Sequence, residues 1–138
     1  MTVNLNPYLG FRDQAREALD FYHSVFGGEL KVGTFGEMMP TADPADADKV
    51  MHGQIEGEHG VVLMASDAPT GMEGPTVSNI SVSLSGDDEA FLTRCWNGLA
   101  EGANVIEPLT KAPWGDTFGM LTDRFGITWL VNVSGVAA

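Results

Sequence analysis

The feature that most constrains this chain is an order of apolar patterns that runs through it twice. Ala15, Ala18, Leu19, Tyr22, Val25 and Phe26 recur at spacings of three and four, which places them on one face of a helix. Gly27 and Gly28 stop that helix, since glycine takes the left-handed conformation that follows a helix end. Phe91, Leu92, Cys95, Trp96 and Leu99 form a second such face, opened by residues 85–88 and ended by Gly102. Each helix follows one strand-like stretch, 3–11 or 76–84. Each is followed by three more: 29–35, 49–57 and 61–67 in the first half, 103–109 and the two arms of a hairpin in the second. The order is βαβββ twice, at a period of roughly 70 residues, and the fold class is α+β. A lone βαβββ module leaves one face of its sheet bare, and pairing two modules, within or between chains, would bury it. The expected modules are 1–70 and 75–134, joined by a linker at 68–75 that holds two prolines and two glycines.

The hairpin from Trp114 to Trp129 anchors the second half. Asp123 to Gly126 reads as its turn, because aspartate can bond its own backbone two residues on and glycine accepts positive φ. Gly115 and Gly119 in the first arm suggest a bulge or the close approach of another group. Trp114, Phe118, Phe125 and Trp129 carry too much apolar surface to leave in water. In the first half, Pro7 suits an edge strand, and Asp13 is placed to cap the first helix. Residues 36–48 show no period and read as a connector, with Met38 and Met39 forming an apolar flap. Along 49–57, His52, Gln54 and Glu56 share one face, while Met51, Gly53 and Ile55 share the other. The tail, 134–138, is small-residued and expected to fray.

The charge excludes some partners. Lys and Arg number 7 against 19 Asp and Glu, a net charge of −12, so no cluster of cations can grip nucleic acid or an anionic membrane. No apolar run approaches the roughly 18 residues that span a bilayer. With the single cysteine Cys95 no intrachain disulfide forms, and the N-terminus lacks the pattern of a signal peptide, so the expected location is cytoplasmic.

Several stretches resemble a known family. They are Pro7-Tyr8-Leu9, Ala18-Leu19-Asp20-Phe21-Tyr22, Phe26-Gly27-Gly28-Glu29-Leu30, Gly36-Glu37-Met38, His52-Gly53-Gln54-Ile55, Leu63-Met64-Ala65-Ser66-Asp67 and the Trp114 to Trp129 hairpin with Asn132. In this order the chain resembles the PhnB-like branch of the vicinal oxygen chelate superfamily, which includes glyoxalase I, extradiol dioxygenases and bleomycin- and fosfomycin-resistance proteins. The resemblance covers nearly the whole chain. It implies one glyoxalase-like domain over 1–138, with paired modules forming a curled, cup-shaped mixed sheet and helices outside, and a homodimer. It often implies a divalent metal held from strand positions and chelated by adjacent substrate oxygens.

At the metal positions the sequence departs from that pattern. The superfamily places one ligand on the first strand of each module and a Glu on the last, four residues after a turn glycine. Counting from Gly60 gives Met64, and counting from Gly126 gives Leu130. Neither offers oxygen, and a thioether is a poor partner for a hard cation. The first strands offer Asn6 or Tyr8 and Ser78, Asn79 or Ser81. The expected cofactor is therefore none. The alternative is a divalent metal held by His52 and Glu56 with Gln54 between them; His23 falls on a helix and His59 in a turn.

Other catalytic signatures are missing. Cys95 falls among core positions, no Gly-x-Ser-x-Gly elbow occurs, and no glycine-rich phosphate loop follows a strand. Relatives in this branch are often labelled demethylubiquinone methyltransferases, but such an enzyme needs a larger α/β domain with a glycine-rich cofactor turn. What remains is a cleft that takes a small organic molecule. Tyr8, Trp114, Phe118 and Trp129 are its candidate walls, with Met64 and Leu130 at the altered metal positions. His52, Gln54, Asp67, Asp116 and Asn132 are its candidate polar contacts. For each aromatic the alternative is ordinary core packing, and for His52 it is a hydrogen-bonded structural histidine. Three functions follow: a metal-free small-molecule binder of the PhnB type, a metal-dependent lyase, isomerase or dioxygenase, and a non-catalytic protein that sequesters a drug-like compound.

Overall fold

A computed structural model of the chain describes residues 3–39, 43–71 and 79–135. Helix α1 (Ala15–Phe26) buries Ala15, Ala18, Leu19, Tyr22, Val25 and Phe26, the six positions its spacing selects. Helix α3 (Glu89–Leu99) buries Phe91, Leu92, Cys95, Trp96 and Leu99. Each large apolar side chain so removed from water contributes about 1.5–3 kcal/mol, which is what fixes the two helices against their sheets. Between them lies the one-turn helix α2 (Phe35–Met38).

The chain divides into two compact units, Met1–Pro75 and Thr76–Ala138. In the first, strands β1 (Tyr8–Phe11), β2 (Glu29–Thr34), β3 (Val50–Glu56) and β4 (Val62–Asp67) form a sheet in the order β1-β4-β3-β2. β1 runs parallel to β4, and the other pairs are antiparallel. In the second, β5 (Val82–Gly86), β6 (Asn104–Lys111), β7 (Thr117–Thr122) and β8 (Thr128–Val133) repeat the plan in the order β5-β8-β7-β6, with β5 parallel to β8. Both sheets are open and mixed, and the architecture is α+β. Among the described residues no helix is long and apolar enough to cross a membrane.

The helix covers one face of each sheet. Leu19 packs directly on Gly53, where a β-carbon would collide with its side chain. Gly119 lies under the Trp96 indole, and a β-carbon there would stand 2.8 Å from the ring and 3.0 Å from the Leu109 Cα. The close approach expected at Gly119 is thus made by a helix side chain and a neighbouring strand. Gly28 combines φ of 79° with no room for a side chain, because its missing Cβ faces the Glu56 carbonyl oxygen.

The structure corrects several expectations. Asp13 does not cap α1. It has φ of 64° and pairs instead with Lys49 at 3.2 Å, while Gln14 occupies the cap position without a side-chain bond. The cap comes from β4, where one Asp67 oxygen accepts the Ala15 amide at 2.9 Å and the other accepts the Val50 amide at 3.0 Å. The first strand is Tyr8–Phe11 rather than 3–11. The connector 36–48 contains the end of α2, held by a Thr34–Glu37 capping box, and a 3-10 turn at Pro44–Asp46. β5 starts at Val82; of the expected strand 76–84, residues 79–81 are not strand and 76–78 lie outside the described residues. β6 extends to Lys111, with register shifts around Pro108, which lacks an amide hydrogen to donate. The 68–75 linker is described only to Gly71, and residues 72–75, Ser78 and the last three of the tail lie outside the described residues.

Candidate functional site

Strand pairing settles which side chains share the helix-free face of each sheet. In the first unit Tyr8 is opposite Met64, Met64 is opposite Gln54, and Gln54 is opposite Lys31. Alternation adds Ser66 on β4 and His52 and Glu56 on β3 to the same face. His52 lies opposite Gly33, and the Met38 thioether occupies the space that a side chain on Gly33 would need. The methionine flagged as a flap therefore stands beside His52.

The polar groups of this face form one line. Tyr8 Oη lies 3.0 Å from His52 Nδ1, with the two rings 5.5 Å apart. His52 Nε2 lies 3.3 Å from Gln54 Oε1, and Gln54 Nε2 donates to Glu56 Oε1 at 3.1 Å. The far end fixes every direction. Because the Gln54 amide nitrogen faces Glu56, its oxygen faces His52 and accepts from Nε2–H. In the neutral imidazole Nδ1 then carries the lone pair, and the Tyr8 hydroxyl donates to it.

In the second unit the helix-free face carries Ser83 opposite Leu130 and Leu130 opposite Met120, beside Ser85 opposite Asn132 and Asn132 opposite Phe118. Asp116, just before β7, accepts from Asn132 Nδ2 at 3.1 Å and from the Gly135 amide at 2.8 Å. These bonds, with a smaller one from Trp114, hold its carboxyl below the ordinary aspartate range despite partial desolvation. Trp114 is 68% exposed, against the expectation that the hairpin aromatics would all be covered, and its ring lies 6.5 Å from that of Phe118.

Two of the sequence-predicted residues lie on the helix side instead. Asp67 is 4% exposed, with both oxygens committed to backbone amides. Trp129 is 2% exposed, and its indole donates to Asp123 at 2.9 Å. Tyr8, His52, Gln54 and Met64 come together on one helix-free face, and Phe118, Leu130 and Asn132 on the other. Sequence reasoning missed Ser83, Met120 and Lys31. The serines of the Ser83 stretch alternate in the sequence, but only the register of β5 against β8 pairs Ser83 with Leu130.

The residues present do not fit the divalent cation that the fold family implies. Met64 and Leu130 occupy equivalent places, each four residues after a positive-φ glycine and each opposite a first-strand residue. Those first-strand partners, Tyr8 and Ser83, carry neutral hydroxyls. A strand rises about 3.3 Å per residue, so the backbones of His52 and Glu56 stand about 13 Å apart and their side chains bond to Gln54 rather than to a shared centre. His23 Nε2 is 2.9 Å from the Gly28 carbonyl oxygen, on the far end of α1. Among the described residues no three His, Cys, Asp or Glu side chains converge as a metal cluster.

A family model described as the Glyoxalase/Bleomycin resistance protein/Dioxygenase superfamily matches residues 4–131. The chain belongs to this superfamily. Protein YjdN of Escherichia coli K12 is 25% identical to this glyoxalase-superfamily chain over 141 residues, covering 94% of each. Among solved structures, protein PA1353 from Pseudomonas aeruginosa matches with a TM-score of 0.83 and 36% identity, over 96% of this chain and 98% of that one. A PhnB protein from Bacillus cereus matches with a TM-score of 0.73 and 21% identity, over 96% and 100% of the two chains. At that identity the likeness speaks for the glyoxalase-like fold and not for activity.

Proposed function

We propose that the protein binds a small organic molecule on the helix-free faces of its sheets without a resident divalent cation. The observation that carries this reading is the matched placement of Met64 and Leu130. At the centre of each helix-free face, where a chelating site needs oxygen, the side chain is hydrocarbon or thioether. Such positions favour the apolar body of a ligand and offer nothing to a hard cation. Polar groups that could orient a ligand stand nearby: Tyr8, His52 and Gln54 in one unit, Ser83, Ser85 and Asn132 in the other.

Two measurements on the same preparation test it. Protein purified without chelators is analysed for metals, and its melting temperature is followed across a panel of small aromatic and carbonyl compounds. A ligand that binds the folded protein raises the melting temperature by an amount that grows with the logarithm of its concentration above Kd. The reading expects sub-stoichiometric metal and a shift with at least one compound that grows with the logarithm of its concentration. Stoichiometric zinc, nickel, manganese or iron overturns it.

A further inference from the structure

We propose that Tyr8 and His52 act together as a proton acceptor that takes an acidic hydroxyl, above all a phenol, and holds it as the oxyanion. The proposal deepens the reading of the first unit's face as a ligand site and rests on it.

The bond directions lead there. With Gln54 pinned by Glu56, a neutral His52 presents Nε2–H to Gln54 and its lone pair to the Tyr8 hydroxyl. The Tyr8 proton is thereby used, and its oxygen can only accept from a ligand. Tyr8 is 51% exposed, so that oxygen is within reach of an incoming group. A ligand hydroxyl donating to Tyr8 Oη completes a line that ends on a basic nitrogen. The ligand's proton passes to Tyr8 Oη as the Tyr8 proton passes to His52 Nδ1. The products are a ligand oxyanion, accepting a hydrogen bond from the neutral Tyr8 hydroxyl, and a His52 imidazolium. No bond other than these O–H and N–H bonds changes, and no co-reactant is needed.

The charge so created is met by what surrounds it. Gln54 Oε1 accepts from the imidazolium, and the Glu56 carboxyl lies one hydrogen bond further along β3. On β2 the Lys31 ammonium stands opposite Gln54 and lies 3.8 Å from Glu29, which stands opposite Glu56. β4 presents only Met64, Ser66 and Val62 to this face, and Met38 of α2 stands over Gly33. The two thioethers favour an aromatic ring, since sulfur packs well against ring edges. That selects a phenol over an aliphatic alcohol, whose hydroxyl is also far less acidic. In this step Gln54 and Glu56 are positioning residues: they decide which His52 nitrogen faces Tyr8.

The test uses 4-nitrophenol, whose visible spectrum reports its own ionisation, at a pH where the free compound is mostly neutral. Wild-type protein is expected to bind it as the phenolate, with the bound probe roughly tenfold more acidic than in the Tyr8→Phe protein. Tyr8→Phe and His52→Gln are expected to bind it as the neutral phenol, with their folding checked by urea denaturation. Glu56→Gln is expected to weaken the phenolate band without abolishing binding. The proposal is overturned if wild type holds the neutral phenol or no phenol, or if both Tyr8→Phe and His52→Gln keep the phenolate. 4-Nitroanisole, which has no proton to give, separates the two readings. If it binds while the phenol stays neutral, the ligand face stands and the proton acceptor falls.

Discussion

One oxygen of Asp123 accepts the indole N–H of Trp129 at 2.9 Å, and the other accepts the amides of Phe125 and Ile127 at 2.9 and 3.0 Å. A single carboxylate, 4% exposed, thus ties the turn of the β7–β8 hairpin to the ring behind it. Asp123→Ala leaves three donors without that acceptor and is expected to destabilise the protein by about 3 kcal/mol. Urea unfolding measures it. A loss below experimental error would show that the turn holds without the carboxylate.

Asp67 does the corresponding work in the first unit by joining the start of α1 to the start of β3. Asp67→Asn keeps one acceptor but turns an NH2 group toward an amide N–H. The expected cost is about 2 kcal/mol, carried by unfolding and not by ligand affinity measured on the folded protein. A drop in affinity with unchanged stability would place Asp67 in the ligand site.

Stability should respond to pH at both ends through one cluster. Hydrogen bonds from Thr70 and Lys49 hold the buried Asp46 carboxyl below its ordinary range, and Asp46 and Asp13 hold the Lys49 ammonium above its own. The Asp46 contribution is full above the ordinary aspartate range and is lost as pH falls through the lowered folded value. The Lys49 contribution is full below the ordinary lysine range and is lost as pH rises through the raised folded value. Asp46→Asn is expected to make the acid limb of the urea midpoint against pH shallower, and Lys49→Met the alkaline limb. An unchanged acid limb in Asp46→Asn would remove Asp46 from the account.

Two glycines of the sheets make a matched pair of tests. Gly119→Ala forces a methyl group against the Trp96 ring and the β6 backbone and is expected to cost about 1–3 kcal/mol. Gly10→Ala meets nothing within 4 Å and is expected to be neutral or slightly stabilising. Equal effects in thermal melts would refute this account of the packing.

Local periodicity made much of this fold legible. The buried faces of α1 and α3 follow from spacings of three and four, and His52, Gln54 and Glu56 fall together because strands alternate. The Asp123 turn was readable for the same reason, since its bonds to Phe125 and Ile127 are local. Contacts made at long range were not. Asp13 looked like the cap of α1 because it is adjacent, yet the cap arrives from Asp67, whose place is set by sheet topology. The Thr34–Glu37 capping box is local too, but it straddles the end of a strand and a stretch lacking period, where no apolar spacing marks a helix. Ser83 and the Tyr8–His52 bond depend on strand register, which one sequence does not specify.

The side chains of the Tyr8–Met64–Gln54 and Ser83–Leu130–Met120 rows stand apart from both helix-packed cores. On the proposed reading of these rows as the ligand face, the scaffold's integrity and its chemical preferences are written at separate addresses. A combinatorial library randomised at these rows should yield mostly folded members, so new selectivities could be sought here without first reinforcing the frame.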